Sequence, residues 1–406
     1  MHLGNSTMVQ IGYLLLAIML LGTLAQLYVV LAVFGKLARH AQKELKPASN
    51  ATTSTVTVSI VVCAHNEYQN LQQLLPGLLT QAFKQLEIIV VDDRSDDGSG
   101  EWLHKQSLLN EKLQVVHIQE TPPDWNAKKY ALTQGIKQAN SEVVLLTDAD
   151  CEVSSPYWVQ HMVQPFDDSS ISIVLGFSPY FKIRSFLNRF IQFETFFTAV
   201  QYLSFTLWGK AYMGVGRNLA YRKELFQNGK IIEKYKSVTG GDDDLLINQT
   251  ATSKNTVICI HPEAQVKSIP KTSWKDWYQQ KVRHLSVGKY YKSTHHLLLG
   301  GIFFTQTIVW FTLILAGIYD FYVENQLIFK GIIFLFSLRM LVLLSVYRVI
   351  IRNLRIDIKL WWIPQLEFLY IFYIFIIGTL AISRKKLGWK ANQTNNFQKR
   401  RSEISN

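Results

Sequence analysis

The sequence predicts an α/β protein, a parallel, doubly wound sheet flanked by membrane-spanning helices. Three observations carry that prediction. From residue 56 to residue 146, β-branched runs alternate with helical patterns, the order that a parallel sheet with crossover helices requires. Three strand exits are polar, at Asn66-Glu67, Asp92-Asp93 and Asp148-Ala-Asp150, and ligands of such sheets bind beyond the carboxyl ends of the strands. Long apolar runs lie toward both ends of the chain.

The first run, residues 11–34, contains no charge and is long enough to cross a bilayer core of roughly 30 Å. It lacks the short apolar core and small-residue cleavage site of a secretory signal, so a retained anchor is expected. Lys36, Arg39, Lys43 and Lys46 follow it and only His2 precedes it, which places the basic flank in the cytoplasm and the N-terminus outside. The expected division is an anchor and linker over 1–50, a globular domain over 51–295, an apolar region over 296–390 and a polar tail over 391–406.

After a polar linker at 47–55, residues 56–63 form a continuous β-branched run, as expected of a strand buried on both faces. The turn Ala64-His-Asn-Glu67 leads into a helix patterned on Leu71, Leu74, Leu75, Leu78 and Leu79. A strand at 86–91 ends in Asp92-Asp93-Arg-Ser-Asp-Asp-Gly98; a helix, a strand at 113–118 and a helix at 127–138 follow. The strand at 143–146 delivers Asp148 and Asp150, whose i, i+2 spacing lets both carboxylates reach one divalent cation.

No dinucleotide or P-loop fingerprint is present; Gly214-Val-Gly216-Arg-Asn-Leu219 reads as a turn that needs positive φ or close backbone approach. The aromatic-rich stretch 186–213 fits either a buried core helix or a helix lying against the bilayer. In Thr239-Gly-Gly-Asp-Asp-Asp-Leu245, one or two acids suffice to cap the coming helix. The third is surplus, and the glycines would let a ligand come close. Residues 274–291 mix Trp, Tyr and Lys as a membrane–water interface does.

Residues 297–319 and 327–346 are apolar enough to span, and the loop between them, 320–326, has no Lys or Arg, as expected outside. A third stretch, 361–382, is weakened by Pro364 and Glu367, and Arg384, Lys385 and Lys386 beyond it conflict with a simple crossing, so a re-entrant or interfacial segment is equally open. The net charge of +12 is concentrated beside apolar segments, at 36–46, 348–359 and 384–390, which favours membrane headgroups over nucleic acid as the partner. Cys63, Cys151 and Cys259 are odd in number and widely spaced, which fits free thiols in a reducing compartment.

Over residues 56–291 the ordered set Ala64-His-Asn-Glu67, Asp92-Asp93, Lys128 before Ala131-Leu132, Asp148-Ala-Asp150, Gly241-Asp-Asp243 and Gln280-Lys-Val-Arg283-His284 resembles the family 2 membrane glycosyltransferases of ceramide glucosyltransferase, hyaluronan synthase and cellulose synthase type. The resemblance implies a GT-A type nucleotide-sugar-binding fold and metal-dependent, inverting transfer of a sugar from a nucleotide sugar, with UDP as the expected carrier. It places Asp148 by the ribose and metal, and Asp150 on Mg²⁺ or Mn²⁺. Asp92 or Asp93 would accept from the base with Glu67 nearby, and Lys128 would lie close to the nucleotide. Asp243 becomes the general base, held electrostatically by Asp242 and Asp244. Gln280 and Arg283 close over the diphosphate, and His284 replaces the Trp usual after that Arg. The expected acceptor is a lipid or lipid-linked glycan at the cytoplasmic face of a bacterial inner membrane, and a polysaccharide or oligosaccharide synthase is the alternative. A nucleotidyltransferase would not need the Gly-Asp-Asp and Gln-x-x-Arg elements, and a non-catalytic nucleotide-sugar-binding scaffold would be expected to have lost carboxylates that are present.

Overall fold

The structure, a computed structural model, describes residues 5–44, 56–227, 230–323 and 325–383; the linker at 47–55, Lys46, Arg384, Lys385, Lys386 and the tail at 391–406 lie outside the described residues. In chain order, α1 (Asn5–Tyr28) continues through a π-helical turn (Val29–Phe34) into α2 (Gly35–Glu44). Then come β1 (Val58–Ala64), α3 (Tyr68–Leu79), β2 (Leu86–Asp93), α4 (Ser99–Leu109), β3 (Leu113–Ile118), α5 (Ala127–Gln138), β4 (Val143–Asp148) and β5 (Cys151–Val153). They are followed by α6 (Trp158–Val163), β6 (Ile173–Gly176), α7 (Phe186–Leu207), β7 (Leu219–Arg222), α8 (Lys223–Gln227), α9 (Lys230–Tyr235), α10 (Asp244–Thr250), β8 (Thr256–Cys259), β9 (Val266–Ser268) and α11 (Trp274–Val287). The last three helices are α12 (Ser293–Val323), α13 (Gln326–Asn353) and α14 (Ile363–Ser383). These elements form two compact units, an α/β unit within Lys43–Tyr291 and a helical unit drawn from Met1–Gln42 and Lys292–Ile376.

The α/β unit is built on a seven-stranded sheet of order β3-β2-β1-β4-β7-β6-β8. Its first half is the expected parallel, doubly wound arrangement, with β1 between β2 and β4. The second half departs from it: β7 runs antiparallel to both β4 and β6, so the sheet is mixed. Val58, Ile60, Val62, Ile88, Val90, Val143 and Leu145 pack on one face against Leu71, Leu74, Leu75 and Leu78 of α3 and Trp158, Val159 and Met162 of α6. α5 covers the other face over β1 and β2, burying Ala131, Leu132 and Ile136. α7 is buried along most of its length, including Phe190, Phe193, Phe196 and Phe197, so of the two readings of 186–213 the core helix holds. Phe186 and Trp274, with ring centroids 6.5 Å apart, are the exposed aromatics left there.

The helical unit packs α1 against α12 and α13 through Met19, Val309, Ala316, Ile328 and Ile332. Four helical segments, Thr7–Gln42, Ser293–Val323, Gln326–Asn353 and Leu360–Ala381, are long and apolar enough to cross a membrane. The two residues that weakened the last of these are accommodated. Pro364 lies in the first turn of α14, where its missing N–H breaks no intrahelical bond. Glu367 is buried in an ion pair with Arg339, which also reaches Gln26, while Trp310 Nε1 donates to the same carboxylate at 3.3 Å. The segment from Ile363 to Ser383 is one continuous helix.

Candidate active site

Sheet register brings the acidic strand exits to one end. Ala64 of β1 aligns with Asp92, and Cys63 aligns with Asp148. Because side chains alternate along a strand, Asp93 falls on the same face as Asp148, whereas Asp92 turns to the other. There Asp92 Oδ2 meets His117 Nδ1 at 3.2 Å, and its Oδ1 is buried without a partner. Asp93 is fully buried and clasped by Arg94, with Nε to Oδ1 at 2.8 Å and Nη2 to Oδ2 at 3.2 Å. Glu67 is buried at the N-terminus of α3 and accepts from the Asn70 amide.

α5 supplies the cation of the site. Asn126 caps the helix by accepting from Lys129 N, which fixes its first turn. From that turn Lys128 Nζ reaches Asp148 Oδ1 at 2.9 Å and lies 3.7 Å from Asp242 Oδ2. Burial opposes the Lys128 charge, but Asp148 and then Asp242 outweigh it and raise its pKa. Burial likewise opposes the Asp148 charge, yet Lys128 holds that carboxyl below its ordinary value. Asp150 is pushed up by burial and then by the charge of Asp148. Two carboxylates offer the hard oxygen donors that a divalent cation such as Mg²⁺ or Mn²⁺ takes.

Across the cleft, Gly240 and Gly241 take φ of 82° and 72°, a left-handed backbone that favours glycine, and turn the chain into α10. The turn itself therefore requires both glycines. Asp243 caps α10: Oδ1 accepts from Asp244 N at 2.9 Å and Oδ2 from Gly216 N. A β-carbon at position 216 would lie 2.9 Å from that Asp243 oxygen, so close approach is what the glycine there provides. The Asp243 pKa is raised by burial and then by Asp242, while the backbone bond from Asp244 lowers it. Asp242 keeps one buried oxygen, Oδ1, without a partner among the described residues. Asp244 Oδ2 accepts from the Tyr291 hydroxyl at 3.0 Å, and burial followed by Asp243 lifts its carboxyl well above the ordinary range.

α11 carries Gln280, Arg283 and His284 at i, i+3 and i+4, hence on one face. Its other face is pinned by Lys281, which makes a buried ion pair with Glu194 of α7. The Arg283 charge acts on Asp148. His284 is exposed on α11, and the Lys281 and Arg283 charges beside it disfavour its protonation. An imidazole there differs from a stacking indole in shape and polarity.

Residues 59–229 match the family described as Glycosyl transferase family 2. The matched segment lies within the α/β unit and spans less than half of the chain. The chain is 28% identical over 237 residues to the probable glycosyltransferase YdaM of Bacillus subtilis strain 168, covering 56% of this chain and 54% of that one. It is 30% identical over 122 residues to poly-beta-1,6-N-acetyl-D-glucosamine synthase of Staphylococcus aureus, covering 29% of this chain and 28% of that one. The chain thus spans about half the length of YdaM and less of the synthase. Among solved structures it is similar to mannosyltransferase PcManGT from Pyrobaculum calidifontis in complex with GDP-Man and Mn²⁺, at 18% identity and a TM-score of 0.48, covering 77% of this chain and 97% of that one.

Two residues of this α/β unit escaped the sequence reading. Tyr291 bonds the acidic triplet from beyond α11, and no local pattern marks it. Arg217 lies in the glycine turn already singled out, where its charge acts on both Asp148 and Asp150. The turn was the available signal.

Proposed function

We propose that the chain is a metal-dependent, inverting glycosyltransferase that moves one sugar from a nucleotide sugar, with UDP as the expected carrier, to a hydroxyl on a lipid or lipid-linked acceptor. One arrangement carries this reading: Lys128 stands between a carboxylate pair suited to a divalent cation, Asp148 and Asp150, and a second acidic group, Asp242 to Asp244. Two acidic centres joined by one cation match a reaction in which one end must stabilise a leaving diphosphate and the other must take a proton.

Asp148 and Asp150 would hold Mg²⁺ or Mn²⁺, which when bound neutralises charge growing on the diphosphate. Lys128 and Arg283 face the same leaving group, and the planar guanidinium suits phosphate oxygens. Gln280, on the Arg283 face of α11, adds a neutral donor. Asp93 shares the donor face with Asp148 and is the better placed of the two adjacent acids for contact with the base. Asp243 would take the proton of the acceptor hydroxyl as its oxygen attacks the anomeric carbon opposite the leaving group, so configuration inverts. The raised pKa of Asp243 makes it a stronger base than an ordinary carboxylate. Its two backbone N–H bonds fix its aim.

The lipid acceptor is supported by the four long apolar helices of the same chain. It is also supported by Tyr291, which ties Asp244 to the chain two residues before α12 begins. The buried position of α7 withdraws part of the earlier interfacial argument. Similarity to a poly-N-acetylglucosamine synthase favours a second reading, a polymer synthase. Incubation of membranes with a panel of radiolabelled nucleotide sugars and Mn²⁺, solvent extraction, thin-layer and sizing chromatography separate them. A single discrete solvent-soluble product is expected. A ladder of water-soluble saccharides would replace the lipid acceptor with a polymer, and no transfer from any sugar nucleotide would overturn the enzyme reading.

A further inference from the structure

The turn from Gly214 to Leu219 holds a charged side chain that the scheme above does not use. The Arg217 guanidinium lies 4.3 Å from the centroid of the Tyr180 ring, and its Nη2 donates to the Ser178 carbonyl at 3.3 Å. Its Nη1 is buried and has no hydrogen-bond partner among the described residues. Leaving a buried donor unsatisfied is costly, and a charged one more so. The backbone on both sides is pinned. Gly216 N bonds Asp243, while the Asn218 amide donates to the carbonyls of Phe177 and Ala264 and accepts from Trp158 Nε1. Tyr180, the platform beneath Arg217, bridges to Ser268, which pairs with Cys151 beside Asp150. Arg217 thus follows the residue that bonds Asp243, and its charge acts on both Asp148 and Asp150.

Resting on the glycosyltransferase reading, we propose that Arg217 is a donor-binding residue whose Nη1 donates to an oxygen of the phosphate that bears the sugar. Two guanidinium groups, Arg217 and Arg283, then flank the leaving diphosphate. The charges argue for an anion. A divalent cation on Asp148 and Asp150 would cancel their charge, and Arg217 would then need a new counter-charge, which the diphosphate supplies. Aromatic stacking leaves the edge of the guanidinium free to make such a bond.

The test is calorimetric titration of the full chain, purified in detergent, with UDP, GDP and pyrophosphate, each with Mn²⁺, and with UMP. Arg217→Gln is expected to weaken whichever diphosphates the wild type binds by about 10- to 100-fold, while UMP, which lacks the second phosphate, binds nearly as before. Arg217→Lys, which keeps the charge but not the fork, should fall between. Undiminished diphosphate binding by Arg217→Gln overturns this inference alone, as does an equal loss for UMP and UDP, which would mark a structural role. Wild-type protein that binds none of the diphosphates overturns the parent reading and this inference with it.

Discussion

Lys128 Nζ lies 2.9 Å from Asp148 Oδ1, so a carboxylate expected at the donor end is already ion-paired to the first turn of α5. The same ammonium sits 3.7 Å from Asp242 Oδ2. Lys128→Met should therefore leave two acidic groups facing each other with their shared cation gone. We expect kcat/KM to fall by about 100-fold, with weaker nucleotide binding, because the lost charge acts in a partly desolvated cleft. Steady-state kinetics across donor concentrations checks it, and a variant within about twofold of wild type would remove Lys128 from the site.

Asp150→Ala should abolish transfer and metal-dependent UDP binding while the fold persists, since a lone Asp148 paired with Lys128 is a poor cation site. Calorimetry of UDP with and without Mn²⁺ decides it. Unchanged metal-dependent affinity would place the cation elsewhere.

If Asp243 takes the acceptor proton, Asp243→Asn should lower kcat by about 100-fold or more with little change in donor binding, because the amide cannot accept that proton. Asp242→Asn should cost less, by removing a charge that raises the Asp243 pKa. The reverse ranking would make Asp242, with its unpartnered buried oxygen, the base.

Asp244 gives a pH signature in stability. Its folded-state pKa is raised, by burial and then by Asp243, so the native chain binds its proton more tightly than the unfolded chain does. Stability from this group is full below the unfolded value near 4 and is lost as pH rises through the folded value. Asp244→Asn, whose amide oxygen can still accept from Tyr291, should therefore melt higher than wild type at pH 8. The difference should shrink as the pH falls. Melting followed by intrinsic fluorescence across pH is the measurement, and an advantage that grows on acidification would refute the assignment.

In the helical unit, Glu367→Ala strands the Arg339 guanidinium in a buried position and should destabilise the bundle by about 3–5 kcal/mol. Arg339→Met combined with Glu367→Met should recover most of that loss. Melting in detergent compares them, and equal damage from the single and double changes would mean the two residues act independently.

β1, β2 and β4 were legible because each is an apolar run buried on both faces, while the half-exposed edge strand 113–118 and helix 127–138 fall on their expected bounds. The strands after β4 were not: β6 and β7 have four residues each, β5 and β9 three, too few for any period to register. The carboxylates could be read because chemistry set their order along the chain. What could not be read was partnership. Arg94 bound to Asp93, Asp243 spent on backbone amides, and Arg339 waiting for Glu367 are each settled by neighbours distant in sequence or by the facing of one side chain.

The buried pair of Glu194 and Lys281 has a consequence for how such chains can diverge. Neither residue belongs to the proposed donor site, yet Lys281 leaves α11 on the side opposite Arg283, and rotating the helix by one residue, about 100°, would withdraw the guanidinium. Losing either partner buries an uncompensated charge against the aromatic core of α7. Among relatives that keep Gln-x-x-Arg on this helix, the acid and the base should be inherited together or replaced together by an apolar pair. A lineage that has lost one alone should have changed its grip on the donor as well.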